Sequence, residues 1–152
     1  MENSTGPSIL PVKDPPKEKP RKIVHPNLPE LPTIMVLVMP TKSGKSTILS
    51  NLLLREDFYK GAFDNVTIMS NTIDQDVTSR FLRKSCDCYT GYDDNVLAGI
   101  IEQQKSFDDD ERPFVGMIFD DILGSVKRSS YLNHLVTRSR HYGVGLLAIS
   151  VQ

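Results

Sequence analysis

The run Met39-Pro40-Thr41-Lys42-Ser43-Gly44-Lys45-Ser46 carries a spacing suited to holding a polyphosphate, and Thr47 follows it. Its last residues match G-x-x-x-x-G-K-[ST], in which successive backbone N–H groups surround phosphate oxygens. Lys45 would reach the outer phosphates and Ser46 would ligate Mg²⁺, with Pro40 to Thr47 forming the loop. Met39 departs from the pattern, because it stands where the first glycine belongs. A side chain there cannot take a positive φ cheaply, and Pro40 beside it fixes φ and supplies no N–H.

A second stretch, Phe114-Val115-Gly116-Met117-Ile118-Phe119-Asp120-Asp121, is an apolar run ending in two carboxylates. It has the form of a Walker B element. Asp120 would hold Mg²⁺ through water beside Ser46, and Asp121 stands where hydrolytic proteins of this class carry a glutamate that polarises the attacking water. A single carboxylate after a strand is more often the start of a polar turn. Two adjacent ones, with a phosphate loop upstream, favour chemistry.

Other polar clusters are weaker signals. Asp108-Asp109-Asp110-Glu111 is a run rather than a spaced set of ligands, and it enters the amino end of the next strand, whereas ligands of open α/β sheets bind beyond the carboxyl ends. It reads as a solvated turn. Cys86 and Cys88 are the only two cysteines, with no second pair to complete a zinc site, and read as reduced thiols.

The elements that must position these residues follow from the hydrophobic pattern. Ile34 to Met39 is long enough for a buried strand and too short to cross a membrane, and Ile48 to Leu54 is a good helix. The phosphate loop therefore sits between strand and helix, as its motif requires. Arg55 to Gly61 reads as a helix end, Asn65 to Ser70 as a strand, Val77 to Lys84 as weakly helical and Cys86 to Tyr92 as a short strand. Asn95 to Phe107 has amphipathic helical spacing, with Val96, Leu97, Ile100, Ile101 and Gln104 on one side. Ser129 to His141 is a further helix, and Val144 to Val151 is nearly continuously apolar, as expected of a central parallel strand.

The length, 152 residues, suggests one domain, and a net charge of −1 gives no global case for nucleic-acid or membrane binding. Residues 1–32 hold eight of the ten prolines, with Lys13, Lys17, Lys19, Arg21 and Lys22 among them, and read as a disordered, locally basic tail ahead of a folded core at 33–152. The tail could serve as a linker or as a docking arm. The amino terminus has no apolar signal region and lacks a glycine after Met1, so secretion and myristoylation are both unsupported.

Three segments together resemble the FtsK-HerA superfamily of P-loop ATPases, and more narrowly the virion DNA-packaging ATPases of poxviruses and other nucleocytoplasmic large DNA viruses. They are Pro40 to Thr47, Ile118 to Asp121, and Thr137 to Gln152, the last with an Arg-aromatic-Gly turn before an apolar strand ending in glutamine. The resemblance implies an α/β fold: a three-layer P-loop NTPase core with a mostly parallel sheet, in which the last strand inserts between the phosphate-loop strand and the Walker B strand. It implies ATP and Mg²⁺ as cofactors and Gln152 as a sensor beside the γ-phosphate. Arg138 and Arg140 would lie at the opposite end of the sheet, so that Arg140 would act on a neighbouring subunit's nucleotide or on DNA. Double-stranded DNA, a homo-oligomeric ring and capsid or portal-like proteins are the implied partners, without a membrane, in a virion or host cytoplasm.

The family continues with a further strand beside the phosphate-loop strand, so the chain reads as lacking carboxyl-terminal strand(s), with the edge of Ile34 to Met39 uncovered. The leading expectation is an ATP-hydrolysing motor for viral DNA packaging. The alternatives are a truncated, non-hydrolysing nucleotide-binding or oligomer-partner protein and, with less support, a small P-loop kinase, for which neither an acceptor pocket nor a basic lid is found.

Overall fold

In the computed structural model, residues 25–122, 124–126, 128 and 130–151 are described. Five strands form one all-parallel sheet in the order β1-β5-β4-β2-β3: β1 (Thr33–Val38), β2 (Asn65–Ser70), β3 (Asp87–Thr90), β4 (Val115–Asp120) and β5 (Val144–Val151). Helices α1 (Lys45–Leu54) and α2 (Leu82–Ser85) pack on one face, and α3 (Asp94–Lys105) and α4 (Ser130–Arg138) on the other. The chain is thus an α/β protein with a helix-flanked parallel sheet. β5 lies between β1 and β4, as the resemblance implied.

Two apolar cores result, one per face. Ile68 and Ile118 meet Leu49, Leu52, Leu53 and Leu82, while Met69, Met117 and Phe119 meet Leu97, Ile101 and Leu135. Strand alternation explains the split within β2 and β4. In β5, however, Val144 and Leu147 share a face although they are three residues apart. Val115 pairs with Val144 and Gly116 with Leu146, so Gly145 is the extra residue of a bulge that flips the parity.

β4 and β5 are the strands covered on both faces, and every residue of β4 is buried. β1 is an edge strand of the described sheet, with Ile34, Val36 and Val38 exposed at 48, 58 and 73%. Its other side chains, Met35 and Leu37, pack against the α1 core.

The folded part begins earlier than composition indicated. Leu28 and Leu31 pack against the α1 core, and the Tyr59 hydroxyl donates to the Pro29 carbonyl at 2.8 Å. Two leucines among the prolines supply enough apolar surface to seat this segment. The basic part of the expected tail lies outside the described residues. The weakly helical stretch resolves into a 3-10 turn (Val77–Arg80) and the short α2, and Asp108 to Glu111 forms an exposed turn before β4. No helix among the described residues is long and apolar enough to cross a membrane.

Candidate functional site

The parallel sheet brings the carboxyl ends of β1, β5, β4 and β2 to one edge, where Lys45 and Asp120 lie. β1 runs on into the loop through Met39, whose N–H donates to Val151 at 3.1 Å. The left-handed positions of the loop are Lys42 (φ 61) and Gly44 (φ 92), not Met39. The missing first glycine is therefore accommodated: residue 39 continues the strand pairing, and the sharp turning happens three to five residues later.

Gly44 closes the loop and opens α1, and its left-handed conformation suits glycine. Ile48 makes the first helical bond back to Gly44 at 3.0 Å, and no side chain caps the N-terminus. The early N–H groups of α1 thus have no partner within the helix, and the positive end of its dipole lies at the loop.

Lys45, in the first turn, is only 11% exposed at its side chain, and its Nζ lies 3.3 Å from Oδ1 of Asp120. The geometry is poor for a hydrogen bond, so the ammonium is buried with Coulombic attraction but no acceptor. An ammonium in that state is costly unless something anionic completes it. Asp120, at the end of β4, is better satisfied: Ser70 donates to Oδ2 at 2.9 Å, and Ser150 donates to Oδ1. Ser70 also accepts the Thr72 N–H at 3.2 Å. Three neighbouring strands thereby clamp one carboxylate.

An open cleft of about 330 Å³ lies over the loop, lined by Pro40, Thr41, Lys42, Gly44, Lys45, Ser46 and Thr47 on one side and by Thr72, Asp76 and Thr78 on the other. Asp76 lines the cleft together with Ser46, and the Ser46 hydroxyl is the first influence that lowers its carboxyl. The Thr78 N–H donates to Asp76 Oδ1 at 2.8 Å, so the same residue caps the 3-10 turn. Ser46, ahead of the bonds from Thr78 and Ser79, holds the Asp76 carboxyl below its ordinary value against the opposing effect of burial.

The remaining expected residues fall elsewhere. Asp121 is next to Asp120 in sequence but sits in a sharp turn at φ 55, with its N–H donating to Ser150 at 3.2 Å and its carbonyl accepting from the Asn71 amide at 2.7 Å. It is not in the lining of the cleft. Arg140 is exposed in the 3-10 turn Ser139–Tyr142 that leads into the amino end of β5, at the opposite end of the sheet from Lys45, and Arg138 ends α4 nearby. Gln152 lies outside the described residues.

Sequence reasoning missed Ser70, Asp76 and Ser150. Ser70 and Ser150 each close or nearly close an apolar strand at the carboxyl edge, and that placement was a usable signal. Asp76 had none, because its meeting with Ser46 depends on how the β2–α2 connection folds over α1.

No protein-family model, curated protein or solved structure matches the chain. The set comprises a loop that ends at a helix N-terminus, a buried ammonium without a hydrogen-bond acceptor, a hydroxyl and a clamped carboxylate. Such a set can neutralise a polyphosphate and, through Ser46 and Asp120, offer oxygen ligands to a hard divalent cation. Among the described residues no three histidines, cysteines, aspartates or glutamates form a group that could hold a metal ion.

Proposed function

We propose that this protein is a P-loop ATPase whose cleft takes Mg-ATP and whose turnover drives double-stranded DNA packaging in a virus of the nucleocytoplasmic large DNA type. The observation that carries the nucleotide reading is Lys45, buried 3.3 Å from Asp120 with no hydrogen-bond acceptor. Outer phosphates would supply the missing acceptors. Backbone N–H groups from Thr41 to Thr47 would hold the inner phosphates. Ser46 and Asp120 would hold Mg²⁺, which would supply charge neutralisation of the phosphates when bound.

Such chemistry needs little from the protein beyond positioning and charge, and the three-strand clamp on Asp120 provides both. The motor part of the reading rests on the sequence resemblance and on the place of β5 between β1 and β4. A homo-oligomeric ring, capsid or portal-like partners, and a role for Arg140 toward a neighbouring subunit or DNA belong to the same proposal. So do Gln152 as sensor and a location in the virion or the host cytoplasm.

The test is Mg-dependent ATP turnover with and without double-stranded DNA over a range of salt. DNA should stimulate turnover, and the stimulation should fall with salt as phosphate contacts are screened. Turnover indifferent to DNA at every salt concentration would refute the motor. A second reading, nucleotide binding without hydrolysis, is favoured by Asp121, whose backbone is engaged in the turn beyond β4, outside the cleft. ATP binding without turnover would select it.

A further inference from the structure

Among the described residues that line the cleft Asp76 is the one carboxylate, and the nucleotide-binding pattern in the sequence gives it no part. Thr78 N–H and the Ser79 hydroxyl bind its oxygens at 2.8 and 3.4 Å, fixing it as the cap of the 3-10 turn, and Ser46 lines the same cleft from the loop side. It is therefore a positioned charge rather than a loose surface acid.

Two physical consequences follow. A hydroxyl has one hydrogen and two lone pairs, so when the Ser46 hydrogen is directed to Asp76, the lone pairs are left for a cation. The carboxylate also puts a negative charge opposite a loop built to receive phosphates. Against a bare triphosphate that charge is repulsive, whereas against the same triphosphate carrying a divalent cation it is attractive or neutral.

We infer that Asp76 makes the cleft selective for the metal-complexed nucleotide over the free one, by orienting Ser46 toward the cation and repelling uncomplexed phosphates. This rests on the nucleotide reading above. Asp76 is a positioning and selectivity residue, and its effect is on binding before any chemistry.

The experiment measures the dissociation constant of ATP by calorimetry, in Mg²⁺ and in EDTA, for the full chain and for Asp76→Asn. Asparagine keeps the capping role, so the fold should survive. The wild type should bind Mg-ATP well above free ATP. In Asp76→Asn, free ATP should bind more tightly and Mg-ATP more weakly, so that the ratio of the two constants falls by about tenfold, or ~1.4 kcal/mol. A ratio within about twofold of wild type, with binding retained, overturns this inference and leaves the nucleotide reading standing. Absence of ATP binding by the wild type overturns both.

Discussion

The two ends of the sheet differ in how their buried nitrogen donors are satisfied. At the amino end, the buried Gln104 amide donates to the Pro113 and Tyr142 carbonyls at 2.9 and 2.7 Å. Arg112 there donates to the Gln104 and Phe107 carbonyls and pairs with Asp109. Val115 N–H is taken by Gly143 at 2.9 Å, and Phe114 N–H by Asp64 at 2.7 Å. At the carboxyl end, the Lys45 ammonium is buried without an acceptor. Buried polar groups are normally paired because desolvation costs about 1–3 kcal/mol when they are not. An end whose buried amide and guanidinium are hydrogen bonded serves stability, and an end that holds an ammonium beside a carboxylate without a hydrogen-bond acceptor is set up for a ligand.

The largest effect that could break this comparison is at Lys45. Lys45→Ala should lower ATP turnover by about 10²–10³-fold, the usual loss when a group that neutralises transferring phosphoryl charge is removed. Steady-state phosphate release checks it. If turnover survives intact, the missing hydrogen-bond acceptor of the ammonium is incidental and the contrast between the ends loses its meaning.

Gly143→Ala tests the other end. Gly143 has φ 69, and a Cβ there would lie 2.7 Å from the Pro113 carbonyl oxygen, a backbone atom with little freedom to move. Left-handed strain of about 1–2 kcal/mol and the clash together should cost about 2–4 kcal/mol of stability, read as a lower urea midpoint. Nucleotide affinity of the folded protein should not change. A loss of affinity at unchanged stability would mean that the amino end also belongs to the site.

Ser150→Ala should have a smaller and mixed effect. Ser150 is at the carboxyl end but is satisfied, donating to Asp120. Removing it leaves a buried carboxylate with the Ser70 donor and the Lys45 ion pair, which should cost about 1–2 kcal/mol in denaturation and weaken Mg-ATP binding several-fold. An effect on stability alone would sharpen the contrast by confining the binding function to Lys45, Ser46 and their loop.

Much of this division was readable from residue order. The strands at Asn65–Ser70 and Val144–Val151 have the limits that their apolar runs predict, and the Lys45 ammonium lies 3.3 Å from the Asp120 carboxylate at the end of β4. What escaped depends on contacts distant in sequence. Asp76 meets Ser46 across thirty positions, the bulge at Gly145 shows only once β4 and β5 are paired, and Leu28 and Leu31 are hidden by the prolines around them. Asp121 shows the converse. Its place in the sequence pattern predicts a catalytic carboxylate, and what the pattern could not give is the sharp turn at positive φ beyond β4 that holds its backbone to Ser150 and Asn71.

The smallest expected effect concerns the thiols, which belong to the paired, stability-serving part of the molecule. Cys86 precedes β3 at the amino end and packs on the α1 core, and burial, with the neighbouring Cys88 and Asp87 charges, pushes its thiol up to about 12. Burial raises the Cys88 thiol as well. Because the folded value lies above that of the unfolded chain, the contribution is fully present below about pH 8.5 and is lost progressively as pH rises toward the folded value. Stability should therefore decline between about pH 9 and 11, and the part of that decline due to Cys86 should vanish in Cys86→Ala. Alkylation at pH 8 should likewise be slow in the native protein and fast in urea, since the reactive species is the thiolate. Fast native alkylation of Cys86 would show that the amino end admits solvent, and would narrow the difference between the two ends.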